Sequence, residues 1–241
     1  AEALQSRGIQ LIGDAVAQRP NVKAILIAGP SSSGKTTFSK KLCMALERNG
    51  YTAKSISFDD YYVDREKTPL DAKGGYDYES IYALDIPLFQ KHFNQLLQGE
   101  EVELPRYDFT TGKNEASGRR LRLEPNTVLI MEGIHALNPM LTGEIPSEAL
   151  LRVYISGLTV AKQDNGTYQG TTDNRLLRRM VRDAQFRNTT ASETLARWSS
   201  VRRGEDHWIV PFQENADINF CTGFQYEIAL LKEKALPLLK E

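Results

Sequence analysis

The sequence predicts an α/β fold in three layers, a parallel sheet with helices on both faces. Three observations carry that prediction. A glycine-rich phosphate loop joins a strand to a helix. Strand and helix signals then alternate along the chain, which is the pattern of a parallel sheet. A chain of 241 residues that is 41% hydrophobic can bury one sizeable core, so a single domain over 1–241 is expected.

The elements follow in order. Residues 22–28 form an apolar run that reads as a buried strand. The loop Gly29-Pro30-Ser31-Ser32-Ser33-Gly34-Lys35-Thr36 follows, a full match to glycine, four residues, Gly-Lys-Ser/Thr. A helix over 36–49 leaves the loop, with Phe38, Leu42, Ala45 and Leu46 on one face and Asn49-Gly50 as its stop. A second strand spans 53–58. Residues 86–98 read as a helix with Asp85 as N-cap, Pro87 in the first turn, and Leu88, Phe89, Phe93, Leu96 and Leu97 as its buried side. Residues 100–124 alternate apolar and charged positions around Thr110-Thr111-Gly112, which predicts a small antiparallel excursion. Further strands fall at 127–132, 151–156 and 217–220, and further helices at 173–188, 192–200 and 223–236. Residues 1–20 are a mixed amphipathic stretch without the plan of a signal peptide.

Composition narrows the classes. A net charge of −1 argues against bulk nucleic-acid or anionic-membrane binding, and no apolar run approaches the roughly 20 residues of a membrane span. Two cysteines, Cys43 and Cys221, cannot build a disulfide framework, and Cys43 reads as a small buried apolar group. A reduced, cytoplasmic setting is the simplest expectation. The three histidines are too scattered for a metal site; His135, near Glu132, is the one to watch.

The loop carries the first chemistry. Residues Gly29, Pro30, Ser31, Ser32, Ser33, Gly34, Lys35, Thr36 and Thr37 are expected to surround a triphosphate at a helix N-terminus, with the loop's N–H groups pointing at it. Lys35 is expected on its outer phosphates and Thr36 on Mg²⁺. Asp59 and Asp60 follow the second strand, at the sheet edge where ligands bind. Either carboxylate can accept a proton from an attacking hydroxyl, and a polar turn is the competing reading. Glu132 ends an apolar strand in the position of a second magnesium-side acid. Asp173 to Arg203 holds eight arginines, three acids and no lysine. Arg175, Arg178, Arg179 and Arg182 share one helical face, as a lid over about 173–203 would need. A solvated basic helix or an RNA-binding face is the alternative, weakened by the lack of interleaved aromatic residues.

These blocks, with Pro105-Arg106-Tyr107-Asp108-Phe109 and Glu132-Gly133-Ile134, resemble the uridine kinase and phosphoribulokinase family, in order, over about residues 22–220. The likeness is to a bacterial uridine kinase-like branch whose members often carry extra N-terminal domains, which fits a chain beginning at Ala1 as a piece of a longer protein. The resemblance implies a P-loop NTPase three-layer fold with an arginine lid, and ATP and Mg²⁺ as cofactors. It implies Asp59 as catalytic base, with Lys35, Arg175, Arg178 and Arg179 on the transferring phosphoryl group, and Thr36 and Glu132 on the metal. It implies Asp71 on ribose hydroxyls and Tyr107 and Phe109 on the acceptor. The expected partner is a small-molecule acceptor, a nucleoside first, with no nucleic acid and no membrane; homo-oligomers stay open. A kinase for a sugar phosphate or pantothenate-like alcohol, and a nucleotide-regulated switch, remain as rivals.

Two departures stand out. Uridine-cytidine kinases read the pyrimidine edge with a histidine at the position of Gly112. This predicts weaker pyrimidine discrimination, with purine nucleosides accepted, and a gain of ~1–2 kcal/mol for uridine or cytidine in Gly112→His. Residues 157–172 also form an extra loop before the lid.

Overall fold

The computed structural model describes residues 1–143, 145–157, 171–224 and 226–240. The insert expected at 157–172 therefore lies, from 158 to 170, outside the described residues.

Seven helices and seven strands are labelled here. They run α1 Glu2–Ala17, β1 Ala24–Ala28, α2 Lys35–Arg48, β2 Thr52–Ser57, α3 Ile86–Leu97, β3 Val102–Asp108 and β4 Lys113–Leu121. The second half is β5 Thr127–Glu132, α4 Pro139–Thr142, β6 Leu150–Ser156, α5 Thr171–Phe186, α6 Ala191–Trp208, β7 Ile218–Cys221 and α7 Glu227–Leu238. Five strands form a parallel sheet in the order β2-β5-β1-β6-β7, and β3 and β4 form a separate antiparallel pair. The predicted α/β fold is thus borne out.

Strand β1 shows why the sheet is double-faced. All five of its residues are buried. Side chains alternate across a strand. Ala24, Leu26 and Ala28 join the core under α3 and the β3-β4 hairpin, while Ile25 and Ile27 join a second core under α1 and α2. An apolar run with no polar alternation is what burial on both faces requires.

Three expectations needed correction. Residues 1–20, read only as an amphipathic stretch, contain α1, whose buried Ile9, Ile12, Gly13 and Val16 have helical spacing. The helix read at 192–200 runs to Trp208. Its start is a capping box of Thr190 and Glu193. Gly204 does not end it: a Cβ there would lie 2.2 Å from Glu79 Cβ, so the glycine serves close packing. Cys43 is half-buried against the α1–α2 core rather than fully enclosed. Asp85 caps α3 as expected, its Oδ1 accepting from Leu88 N at 3.0 Å. Among the described residues no helix is long and apolar enough to cross a membrane.

Candidate active site

The site lies at the carboxyl ends of β1, β2 and β5, where open parallel sheets bind ligands. Because β5 sits between β1 and β2, the loop after β1, the acids after β2 and Glu132 at the end of β5 meet there.

At the loop, Lys35 Nζ donates to the carbonyls of Gly29 and Pro30, at 2.8 and 3.1 Å. Burial lowers the Lys35 pKa, and the charges of Glu132 and Asp59 oppose that shift. The Ser32 and Ser33 hydroxyls are buried without a hydrogen-bond partner. Orphaned donors in a glycine-rich loop at the start of α2 fit an anionic ligand. A cavity of about 380 Å³ opens beside the loop, lined by Thr36, Thr37, Lys41, Arg178 and Phe224 among others.

Thr36 Oγ1 donates to Glu132 Oε1 at 3.0 Å, so the two residues expected at a metal do meet. Burial raises the Glu132 pKa, Lys35 lowers it, and the charge of Asp59 raises it further. A hydroxyl and two mutually repelling carboxylates fit a hard, oxygen-preferring cation.

Asp59 and Asp60 start a short 3-10 turn, which Ser57 caps by accepting Asp59 N at 3.2 Å. The two acids sit in different charge surroundings. Burial raises the Asp59 pKa, while Lys35, Arg187 and Arg182 draw it back. Burial also raises the Asp60 pKa, but its opposing cations are Arg119 and Arg106 on the hairpin. The phosphate-loop lysine thus acts on Asp59, while the charge of Asp60 still reaches Glu132.

The lid arginines are densely paired. Arg175 Nε donates to Ser31 O at 3.0 Å, and its Nη groups bind the buried Glu205. Arg178 binds Glu227 and donates to Ser32 O at 3.2 Å. Arg179 Nη1 donates to Ser31 Oγ at 2.9 Å and pairs with Asp183 at 3.3 Å. These three brace the loop itself. Arg182 and Arg187, both bound to Asp183, are the lid residues whose charge acts on Asp59. Arg187, at the end of this helix, was not singled out from sequence, although it belongs to the same arginine cluster.

Of the two aromatics expected on the acceptor, Tyr107 is buried, its ring 5.0 Å edge-on from Phe109, and Phe109 is 48% exposed with the Arg187 guanidinium 5.3 Å over it. Asp71 caps its own turn, Oδ1 accepting from Lys73 N and Gly75 N at 2.8 and 2.9 Å. Glu79 had no motif to mark it. It packs against Gly204, stands 4.0 Å from Arg179, and burial pushes its pKa up to about 7. His135 is buried 6.5 Å from the Trp208 ring with its pKa driven down to about 3, so it stays neutral; no metal-holding cluster occurs among the described residues.

The gain expected for Gly112→His holds only where Gly112 is not needed for a positive-φ turn, and that condition is not met. The φ of Gly112 is +74°, and a Cβ there would lie 2.6–2.8 Å from the Arg65 side chain. Histidine at 112 would be strained and would displace Arg65, so Gly112→His cannot restore a base contact cleanly.

Comparison with known proteins shows the family. The profile of the phosphoribulokinase / uridine kinase family matches residues 24–159, more than half of the chain. The chain is 28% identical over 205 residues to a uridine kinase of Deinococcus deserti, covering 85% of this chain and 89% of that protein. It is 29% identical over 213 residues to a uridine kinase of Halobacterium salinarum, covering 88% and 85%. In fold it is similar to D-glycerate 3-kinase from Cryptococcus neoformans var. grubii, with a TM-score of 0.57, 15% identity and 90% of each chain covered. The chain belongs to the phosphoribulokinase / uridine kinase family of P-loop kinases.

Proposed function

We propose that this kinase uses ATP and Mg²⁺ to phosphorylate a primary hydroxyl, the 5′-OH of a nucleoside. The observation that carries the reading is the position of Asp59. The charges of Lys35, Arg187 and Arg182 act on it, and its own charge acts on Tyr62. Tyr62 leads into an aromatic group with Tyr107 and Phe109, at 5.5 and 6.1 Å between ring centres. A flat acceptor held there brings its hydroxyl to a carboxylate beside the phosphate loop.

In this reading the acceptor oxygen attacks the γ-phosphorus, its proton passes to Asp59, and the bond from the γ-phosphorus to the β–γ bridging oxygen breaks, releasing ADP. Lys35 and Arg182 stabilise the charge that gathers on the equatorial oxygens. Arg175, Arg178 and Arg179 support them by fixing Ser31 and Ser32. Thr36 and Glu132 would hold the metal, which neutralises phosphate charge when bound. Asp71, whose Oδ2 stands 4.0 Å from Arg203, would accept from a ribose hydroxyl, and closure of the arginine helix excludes water.

Transfer of labelled γ-phosphate to uridine, cytidine, adenosine, guanosine, inosine, a sugar phosphate and D-glycerate tests this. Phosphorylation of at least one nucleoside is expected. Transfer only to the sugar phosphate or glycerate refutes the acceptor class. Hydrolysis that no acceptor stimulates points to a nucleotide switch.

A further inference from the structure

We propose that Arg65 determines specificity in the acceptor pocket by donating to the edge of the base, so that the enzyme favours oxo-nucleosides over their amino counterparts. The inference rests on the nucleoside reading above and adds which face of the base is recognised.

Arg65 opens the 3-10 turn Arg65–Lys67, a few residues beyond Asp59 on the same segment. Its backbone N donates to Gly112 O at 2.8 Å. Its side chain then crosses Gly112 so closely that a Cβ there would touch Nε, Cζ and Cβ of the arginine. The glycine is what gives the guanidinium its place. Nη2 donates to Phe109 O at 2.8 Å, and the guanidinium stands beside the Tyr78 and Tyr107 hydroxyls. Arg65 therefore ends an aromatic wall made of Tyr62, Tyr78, Tyr107 and Phe109. The other end of that wall is Tyr62, next to Asp59. An acceptor with its hydroxyl at Asp59 and its ring along the wall turns its far edge toward Arg65.

The electrostatics separate Arg65 from the lid. Arg175, Arg178, Arg179, Arg182 and Arg187 each have a carboxylate partner. Among the described residues no carboxylate forms an ion pair with Arg65. A half-buried arginine whose guanidinium no acid pairs with, flanked by aromatic rings, is suited to an uncharged ligand rich in acceptors.

The guanidinium has donors and no acceptor. Guanine and hypoxanthine offer O6 and N7, and uracil offers O4, all acceptors. Adenine and cytosine place an amino group at the matching position, which sets N–H against N–H. The inosine–adenosine and uridine–cytidine pairs each differ at that position and share ring size, so their ratios isolate the edge contact from stacking.

The experiment measures kcat/KM for these four nucleosides with the unmodified enzyme, Arg65→Gln and Arg65→Lys. The unmodified enzyme is expected to favour the oxo member of each pair by about 10- to 100-fold, the range for one well-placed arginine contact to a base. Glutamine offers both a donor and an acceptor, so Arg65→Gln should bring both ratios close to one; Arg65→Lys should give intermediate ratios. A merely structural Arg65 would lower all four rates together and leave the ratios unmoved, which overturns the proposal. So does an unmodified enzyme that favours adenosine and cytidine, a result that needs no variant to fold. Failure to phosphorylate any nucleoside is a different result: it overturns the nucleoside reading, and the inference falls with it.

Discussion

The phosphate half and the acceptor half of the site are built differently. Phosphate-side groups stand at the ends of the neighbouring strands β1, β2 and β5, and the sheet sets their spacing. Thr36 meets Glu132, and Lys35 lies within the field of Asp59, because of backbone register. The acceptor half comes from separate segments: the 62–79 loop, the hairpin tip at 107–112, and the end of α5 at Arg187. There only side-chain packing brings the groups together. Chemistry common to many kinases sits on rigid elements, and the groups that choose an acceptor sit on loops.

The largest expected effect tests the phosphate half. Asp59→Asn should lower kcat by roughly 10²–10⁴-fold with nucleotide affinity nearly unchanged, the usual range for a lost general base. Asp60→Asn, in the field of Arg119 and Arg106, should stay within a few-fold. If steady-state kinetics reverse that order, the division between the two acids of this turn is wrong.

A second prediction separates bracing from reaction. Arg175→Ala removes one of the two arginines on the buried Glu205 and leaves it Arg202 at 2.8 Å; it should destabilise the fold by about 1–3 kcal/mol in urea unfolding. Arg182→Ala should cost much less stability, since Arg182 is partly exposed, and should act on kcat instead. Equal stability losses for the two variants would erase the distinction drawn within the lid.

The smallest effect concerns the seam between the halves. Burial raises Glu79 to about 7, against 4.5 for an unperturbed glutamate. Between those values the folded protein keeps a proton that the unfolded chain has lost. This contribution to stability is therefore full at low pH and declines as pH rises through 7. Glu79→Gln should match the parent near pH 4.5 and exceed it at pH 8, on the order of 1–3 kcal/mol. Calorimetry showing the same difference at both pH values would remove Glu79 as the source.

The same contrast explains what could be read early. The phosphate loop, the cap at Asp85 and the apolar runs of β1 and β5 are local patterns, and each became the expected element. Asp59 and Glu132 could be placed because strand ends carry their own address. Glu79 and Arg65 could not. Glu79 matters because α6 presses a glycine against it, and Arg65 because Gly112 leaves it room.

By itself, the sequence determined the parallel sheet, the phosphate loop and the acids at its edge, since periodicity and glycine spacing act over a few residues. Only the tertiary structure decided which cations act on Asp59 and which on Asp60. It also decided which arginines brace the loop, and that Arg65 occupies the space beside Gly112. Those outcomes depend on burial and on charges brought together from distant segments, and neither exists until the chain has packed.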